Sequence, residues 1–388
     1  MKICILTDGV YPFSVGGMQK HISYIIHRFA NTDHEVNVFM PEVDQHTPES
    51  AHISFFGPDT AANIRFTFIP NPKPGKFPGQ YIWWSWQYAR NITLALQEFI
   101  PGLDVIYSKG FCAWHYLLHR PVKSVPVISQ LHGLEMYQKS WSFSEWLKKM
   151  ILRLPASAIL RKSDYMFSYG GKVKEIALRL GVRHDRIFTQ YGAADRNFLY
   201  PSPDPKPNNL PRQFLYVARF EFRKGYHVMI SALKNLNPAD YHLTIVGDVP
   251  EENKLLQANI LYTGNLPAET ILKHMEKAEV LLLPSLSEGF PTILVEAMAR
   301  GLSPIATDVG AVADIVDHTV GWLIPAGDIT ALRDAMHAAI TCPSQTLQSQ
   351  QKLCVDRVHA KFNWENTFPE LVSHLQFITH DYRNRTTG

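Results

Sequence analysis

The sequence of 388 residues has little cysteine and no long apolar run. The apolar start Met1–Leu6 gives way to Asp8, too early for the apolar region of a standard signal peptide. No stretch approaches the roughly 18 consecutive apolar residues that indicate a transmembrane helix. The four cysteines form no CxxC pair and no metal-ligand spacing, which favours a reduced, intracellular setting; they are Cys4, Cys112, Cys342 and Cys354. We therefore expect a cytoplasmic protein with no membrane-spanning segment.

Composition and charge bound the class of protein. Apolar residues make up 46% and charged residues 19% of the chain, as in soluble globular proteins, and the length suffices for two domains. The net charge of +3 is uneven: residues 1–205 carry 22 basic and 16 acidic side chains, and residues 206–388 carry 16 and 19. Residues 139–186 alone contain 11 basic and 4 acidic side chains. This distribution predicts an anionic partner for the first half, either nucleic acid or an anionic membrane surface.

Both halves alternate short apolar strands with helical patterns, which predicts an α/β fold with doubly wound parallel sheets. The Gly-x-Gly-x-x-Gly fingerprint is absent, which argues against a dinucleotide-binding enzyme. Pro201–Pro207 holds four prolines in seven residues and cannot form a helix or a central strand, so the domain boundary is predicted there. The predicted strands that precede candidate site residues are Lys2–Thr7, Val105–Ser108, Val125–Gln130, Phe214–Ala218, His242–Val246, Ile260–Thr263 and Val280–Leu283.

The segment Ser285–Gly301 places two carboxylates around a predicted helix start. Pro291 suits the first helical position and Gly301 the helix stop. Such a start offers free backbone N–H groups and the positive end of the helix dipole to an anion. Glu288 lies just before this start, and Glu296 lies about 6 Å further along the helix axis at roughly 1.5 Å per residue. The arrangement suits a nucleotide-sugar with its diphosphate at the helix start, Glu296 accepting from the ribose hydroxyls and Glu288 facing the sugar. Spacing alone is also that of an ordinary capped helix.

This segment resembles the Glu-x7-Glu signature of retaining glycosyltransferases of family 4, which have the two-domain GT-B architecture. The resemblance runs from Pro284 to Ala311 and includes Pro304–Ala306 and Asp308–Ala311. It implies two Rossmann-like domains facing a central cleft. We expect an acceptor-binding domain over 1–204, a donor-binding domain over 205–364, and a C-terminal helix at about 365–388 that packs back on the first domain. The signature residues expected at the donor are Glu288, Gly289, Phe290, Pro291, Thr292 and Glu296.

A second set of candidates follows the predicted strand Phe214–Ala218. Arg219 and Lys224 could neutralise a diphosphate and stabilise it as a leaving group, although such residues in a polar loop are usually only solvated. The segment Tyr216–Gly225 resembles the second phosphate-binding element of the family. Gly247 closes one further strand, and Asn265 and Leu266 follow another, where open α/β sheets bind ligands. We expect backbone contacts to the nucleotide base there, which leave the base unidentified.

Gly16, Gly17 and His132 are the candidates in the first half. Gly16 and Gly17 could let the backbone approach a ligand at a helix start, and a simple tight turn explains them equally well. In the family this loop borders the donor diphosphate and the acceptor. His132 follows a predicted strand and resembles the active-site histidine that contacts the transferred sugar; otherwise it would cap a turn. Lys109 and Gly110 are weaker candidates for the acceptor side.

These residues predict a metal-independent retaining glycosyltransferase. No Asp-x-Asp motif stands at a strand end, so we expect no metal and no cofactor besides the nucleotide-sugar substrate. No carboxylate presents itself as the nucleophile of a double displacement, and the family resemblance implies front-face substitution. The expected acceptor is a lipid-linked saccharide or another glycan in cell-surface polysaccharide or lipopolysaccharide-type biosynthesis. The alternatives are a GT-B nucleotide-sugar epimerase and a non-catalytic nucleotide-sugar-binding protein.

Residues 141–154 interleave aromatic, aliphatic and cationic side chains. That is the pattern of an interfacial helix, with its apolar side in the membrane and cations at the headgroups; a helix packed on its own sheet is the alternative. Pro70–Trp86 adds an aromatic-rich region, predicted as a loop. No recognition motif for nucleic acid accompanies the charge, so we expect peripheral association with the inner face of the cytoplasmic membrane. The predicted membrane contacts are Trp141, Trp146, Lys148, Lys149 and Arg153.

Overall fold

The computed structural model describes residues 1–57, 61–72, 79–121, 124–199 and 211–387. The predicted linker Pro201–Pro207 lies outside this described part. Contacts divide the chain into two units. The first comprises Met1–Ser168, Lys174–Gln190 and Phe368–Gly388, and the second comprises Tyr169–Val173 and Tyr191–Thr367.

The first unit is built on a seven-stranded parallel sheet in the order β3-β2-β1-β4-β5-β6-β7. Its central strands β1, β4 and β5 are buried along almost their whole length, as expected for a sheet covered on both faces. The strands are β1 (Lys2–Leu6), β2 (Glu35–Pro41), β3 (Ile64–Ile69), β4 (Val105–Lys109), β5 (Val127–Gln130), β6 (Tyr165–Ser168) and β7 (Ile187–Thr189). The helices that begin in this part of the chain are α1 (Gly17–Phe29), α2 (Pro48–Phe56), α3 (Gln80–Leu96), α4 (Trp114–His119), α5 (Phe143–Lys162), α6 (Gly171–Arg179) and α7 (Arg196–Leu199).

The second unit repeats the design with a six-stranded parallel sheet in the order β10-β9-β8-β11-β12-β13. Its strands are β8 (Arg212–Val217), β9 (Tyr241–Val246), β10 (Ile260–Gly264), β11 (Val280–Leu283), β12 (Ser303–Thr307) and β13 (Trp322–Ile324). Its helices, with the C-terminal one, are α8 (Tyr226–Leu233), α9 (Ala268–Lys277), α10 (Thr292–Ala299), α11 (Val312–Ile315), α12 (Ile329–Thr341), α13 (Ser344–Lys361) and α14 (Trp364–Thr387). The prediction of two doubly wound parallel sheets is confirmed, and in each the strand order reverses beside the first strand, where such sheets bind ligands.

A buried ion pair fixes the start of the second sheet. Arg212 Nη1 lies 2.7 Å from Glu279 Oε1, with the side chains only 2% and 4% exposed. Arg212 Nε also donates to the carbonyl of Ala339 at 3.0 Å. Because both charges are compensated and hydrogen-bonded, they can be buried, and they join β8 to the residue before β11 and to α12.

The two units are not divided as simply as the sequence predicted. Residues 191–199, expected in the first domain, belong to the second unit. The reason is packing: Ala194, Phe198 and Leu199 are buried in the apolar core that also holds α10.

The C-terminal helix α14 contributes side chains to the first unit. Its Phe368 ring packs edge-on against Phe29 with centroids 5.0 Å apart. Further along, Tyr165 donates a hydrogen bond to Asp381 at 2.5 Å. Residues from Phe368 onward are accordingly part of that unit.

Candidate functional site

The helix start of the signature segment is held in a tightly packed loop. β11 ends at Leu283, and α10 begins at Thr292 with Pro291 as its N-cap, one residue later than predicted. A Cβ on Gly310 would lie 2.4 Å from the carbonyl oxygen of Glu288, and the positive φ of 56° at Gly310 also favours glycine. The N–H of Ala311 donates to the Gly289 carbonyl at 2.9 Å. The loop before the helix is thus preorganised by the glycine segment after β12.

Glu288 is a buried carboxylate inside this loop. Its side chain is 7% exposed, and Oε1 accepts from Lys224 Nζ at 2.6 Å and from Ser285 Oγ at 2.7 Å. Arg223 Nη1 lies 3.8 Å from Oε2. Lys224 and Glu288, predicted to serve different parts of the donor, are therefore bonded to each other.

The loop between β8 and α8 carries a row of alternating charges. Arg219 is 71% exposed, and its Nη2 lies 3.0 Å from Glu221 Oε1. Arg223 Nε lies 2.8 Å from Glu221 Oε2, so the Glu221 carboxylate forms ion pairs with two arginines. Arg223, Glu221 and Ser285 were missed by the sequence analysis, although Arg223 adjoins Lys224 in the chain.

Gly225 explains why this loop turns where it does. Its φ is +71°, and a Cβ there would lie 1.9 Å from the carbonyl oxygen of Pro284. Only glycine fits both the left-handed backbone and this contact. The Lys-Gly pair therefore brings Lys224 beside the end of β11, where Glu288 follows.

The ends of β8, β9 and β10 meet at the same edge. A Cβ on Gly247 would lie 2.0 Å from the Ala218 carbonyl oxygen, and the Gly247 N–H donates to the Gly264 carbonyl at 2.9 Å. Asn265 donates from its side chain to Asp248. Leu266 packs against the core of the unit, and Glu296, on α10, is 8% exposed. The structure thus places the predicted base- and ribose-side residues within the second unit.

The first unit contains a cavity of about 440 Å³. It is lined by both predicted and unpredicted residues, including Asp8, Gly110, His132, Glu135 and Lys148. His132 has a φ of +48°, a left-handed conformation that costs a non-glycine residue energy and is concentrated at functional sites. Gly16 is the N-cap of α1 and Gly17 its first residue.

The first unit also contains a buried polar cluster around Lys109. Lys109 is 1% exposed, and its Nζ lies 2.9 Å from the Tyr107 hydroxyl and 3.2 Å from His21 Nδ1. Burial, together with the Lys109 charge, lowers the pKa of His132 and of His21 well below the usual histidine value. Both rings are therefore neutral at pH 7. Burial lowers the pKa of Lys109 as well, and the nearby Asp8 carboxylate opposes that shift.

The predicted membrane helix has two distinct sides. Its outer side exposes an apolar stripe at helical spacing, which consists of Phe143, Trp146, Leu147, Met150, Ile151 and Leu154. On its inner side, predicted headgroup cations bind other groups of the protein. Lys149 is buried, lies 2.7 Å from Glu145 and donates to the Lys139 carbonyl at 2.8 Å.

Two of the predicted headgroup cations make hydrogen bonds within the protein. Besides Lys149, Arg153 donates to the Met136 carbonyl at 2.8 Å and lies over the Tyr137 ring. Both side chains hold the preceding turn in place, whereas Lys148 is exposed.

Trp141, another predicted membrane contact, precedes α5 and is half-buried, with Lys139 Nζ 4.1 Å from the centroid of its ring. The aromatic region predicted as a loop is helical from Gln80. Among the described residues, no helix combines the length and the apolarity needed to cross a bilayer.

Two doubly wound parallel sheets in one chain, each with candidate residues at the carboxyl ends of its strands, are the architecture of the GT-B fold. Residues 202–353 match the family described as glycosyl transferases group 1, and residues 15–198 match glycosyltransferase family 4. The chain therefore belongs to the family-4 glycosyltransferases.

Two relatives that match over most of the chain are distant in sequence. A glycogen synthase of Mycobacterium tuberculosis is 22% identical over 94% of this chain and 92% of its own. The lipopolysaccharide 1,6-galactosyltransferase of Salmonella typhimurium is 23% identical over 79% of this chain and 80% of its own. The solved structure of Anabaena Alr3699/HepE in complex with UDP-glucose has a TM-score of 0.67 at 18% identity, and the match covers 97% of this chain and 99% of that one. At this identity the structural likeness supports the fold alone.

Proposed function

We propose that this protein transfers a sugar, with retention of configuration, from a nucleotide-diphosphate-sugar to a lipid-linked saccharide or another glycan acceptor. The acceptor class points to cell-surface polysaccharide or lipopolysaccharide-type biosynthesis, as in the name of the Salmonella relative. The UDP-glucose complex of the Anabaena neighbour supports a nucleotide-sugar donor. The observation that carries the proposal is the charged helix start formed by Glu288, Lys224 and Ser285.

Charge balance favours a diphosphate at this helix start. Arg219, Arg223 and Lys224 face the two carboxylates Glu221 and Glu288, which leaves one positive charge. The helix dipole adds roughly half a positive charge at the start of α10. A donor diphosphate would compensate this excess, and Glu296 would accept hydrogen bonds from the ribose hydroxyls.

The two ion pairs of the loop suggest different roles for their cations. The exposed Arg219–Glu221 pair costs only about 0–1 kcal/mol to break, so Arg219 can turn onto the diphosphate as negative charge develops on it. The Lys224–Glu288 pair is buried, and separating its two charges costs much more free energy. An ammonium has three donors, so Lys224 can keep Glu288 and still donate to a phosphate oxygen.

The bonded state of Glu288 favours front-face substitution. A carboxylate that accepts from Lys224 and Ser285 is poorly suited to attack the sugar as a nucleophile. In the proposed step, the bond from the anomeric carbon to the phosphate oxygen breaks, and the acceptor oxygen bonds to that carbon on the same face. The acceptor proton passes to the leaving diphosphate. Neutral His132, in the first unit, would hydrogen-bond a hydroxyl of the transferred sugar.

A nucleotide panel followed by product analysis tests the transferase proposal. We expect one nucleoside diphosphate to raise the melting temperature of the protein, because it binds the native state. With the matching α-linked donor, NMR of the product should show an α linkage. A β linkage would exclude retention, and donor binding without turnover over a broad acceptor screen would favour a non-catalytic protein.

We further propose that the apolar stripe of α5 contacts the inner face of the cytoplasmic membrane. Phe143 and Leu154 are 76% and 74% exposed at its two ends, and the exposed Lys148 adds a cation beside it. An apolar helix face with an adjacent cation binds at the lipid headgroup boundary. Such contact would suit a lipid-linked acceptor.

Sedimentation with anionic liposomes tests this contact. Phe143→Glu with Leu154→Glu should abolish sedimentation. Leu256→Glu is the matched control, because Leu256 is 84% exposed and lies in the second unit. Equal sedimentation of both variants would remove the membrane proposal.

A further inference from the structure

A second cavity, of about 600 Å³, lies in the second unit beside the β8–α8 loop. Its size falls within the roughly 300–1,000 Å³ of small-molecule sites. The lining includes Phe220, Glu221, Phe222, Tyr226, His227 and Glu252, and none of Lys224, Glu288 or Glu296. The cavity is therefore separate from the proposed donor residues, although Glu221 adjoins both.

Aromatic rings form two walls of this cavity. Phe222 and His227 stack with centroids 4.4 Å apart and an interplanar angle of 11°. Phe220 packs edge-on against Tyr226 at 5.3 Å. Phe222 is 58% and Phe220 40% exposed, so both rings offer apolar surface to a ligand.

The rest of the lining includes polar residues but carries little net charge. Glu221 is compensated by Arg219 and Arg223 at 3.0 and 2.8 Å. Burial lowers the pKa of His227, so its ring is uncharged at neutral pH. Glu252 and Asn253 supply further polar atoms at the rim. A neutral ligand with hydroxyl groups fits this combination better than an ion.

Hydrogen bonds hold part of the cavity lining in place in the absence of a ligand. The Tyr226 hydroxyl donates to the Asn253 carbonyl at 2.8 Å and shares a hydrogen bond with the Tyr262 hydroxyl at 3.0 Å. These bonds fasten the short turn Glu251–Asn253 to the start of α8. A preformed site loses less free energy on binding than one that must first become ordered.

We propose that this cavity is a second saccharide-binding site, which stacks a neutral pyranose unit on Phe222 and Phe220. The apolar C–H face of the sugar would lie on the rings, and its hydroxyls would bond to Glu252 and Asn253. The inference goes beyond sugar transfer: the site would hold part of a glycan chain without reacting with it. Its position beside Glu221 would keep that chain close to the proposed donor site.

Saturation-transfer NMR on the full-length protein tests the site, with maltohexaose and a mannohexaose as probes. Saturation should be transferred from the protein to at least one probe. We expect a Kd of roughly 1 mM, which corresponds to a binding free energy of about −4 kcal/mol. Phe222→Ala should weaken this binding about tenfold, a loss of about 1.4 kcal/mol. Phe377→Ala is the matched control, because Phe377 is an exposed phenylalanine of the first unit, and it should bind as the unaltered protein does.

Three results would overturn the second site: no transfer to either probe, equal binding by Phe222→Ala, or displacement of the probe by a nucleoside diphosphate. Measuring the melting temperature of the same proteins with nucleoside diphosphates distinguishes this inference from the proposed function. Nucleotide binding without saccharide binding removes the second site alone. Saccharide binding without any nucleotide binding supports the second site and removes the donor proposal.

Discussion

The buried pair between Lys224 and Glu288 leads to a prediction that separates stability from catalysis. Lys224→Met would leave the Glu288 carboxylate, 7% exposed, with the Ser285 hydroxyl and the more distant Arg223. Removing one partner of a buried ion pair typically costs about 3–5 kcal/mol. Because the Lys224 side chain is 16% exposed, we expect the lower end, about 3 kcal/mol.

The double variant Lys224→Met with Glu288→Gln should recover most of this loss, because no uncompensated charge stays buried. In a domain of this size 1 kcal/mol corresponds to roughly 2–4 °C in melting temperature. The single variant should therefore melt about 6–12 °C lower, and the double variant much closer to the unaltered protein. Turnover should fall about 10²-fold or more in both.

The assay is thermal unfolding of the three proteins, followed by initial rates on each. Arg333→Met is the control, because the Arg333–Asp334 pair has a similar 2.9 Å distance but its side chains are 36% and 63% exposed. That change should cost less than about 1 kcal/mol. The reasoning is refuted if Lys224→Met melts like the control, or if the double variant is no more stable than the single one.

Three further predictions concern other parts of the molecule. Burial holds the pKa of His132 below its unfolded value of about 6.5, so the unfolded state binds the proton first and this histidine destabilises the fold as pH falls below about 6.5. The melting temperature of His132→Gln should therefore fall less than that of the unaltered protein when the pH is lowered from neutral to mildly acid. Equal falls in melting temperature for the two proteins would contradict this. Gly225→Ala should destabilise by at least about 1–3 kcal/mol, because its Cβ would meet the Pro284 carbonyl oxygen at 1.9 Å. Gly102→Ala is the control, because a Cβ on Gly102 would meet nothing within 4 Å, and it should leave the free energy of unfolding almost unchanged in the same denaturation series. An equal loss of stability in both variants would show that the backbone moves to relieve the contact with the Pro284 carbonyl. Turnover should persist after exhaustive treatment with EDTA, and activity that returns only on adding a divalent cation would show a metal requirement.

Much of the fold was predictable because its signals are local. A strand such as Val280–Leu283 is apolar throughout, since both faces of a parallel sheet are covered, and the structure has it at the predicted residues. The following Gly-Phe-Pro predicts a helix start, which the structure places at Thr292. The edge strands β3, β7 and β13 were missed, because short runs such as Ile187–Thr189 and Trp322–Ile324 carry too little pattern.

Partners far apart in the chain were decided by the tertiary structure. Lys224 and Glu288 are 64 residues apart, and neither residue's neighbours encode the hydrogen bond between them. It forms because β8 and β11 are adjacent in the sheet, and because Gly225 permits a close approach to Pro284.

The same distinction holds in the first unit. The apolar stripe of α5 follows from helical periodicity, so the sequence by itself determined it. Which of its cations reach solvent depends on what the helix packs against. Lys149 and Arg153 donate hydrogen bonds to the carbonyls of Lys139 and Met136, and only the folded chain brings these oxygens within reach.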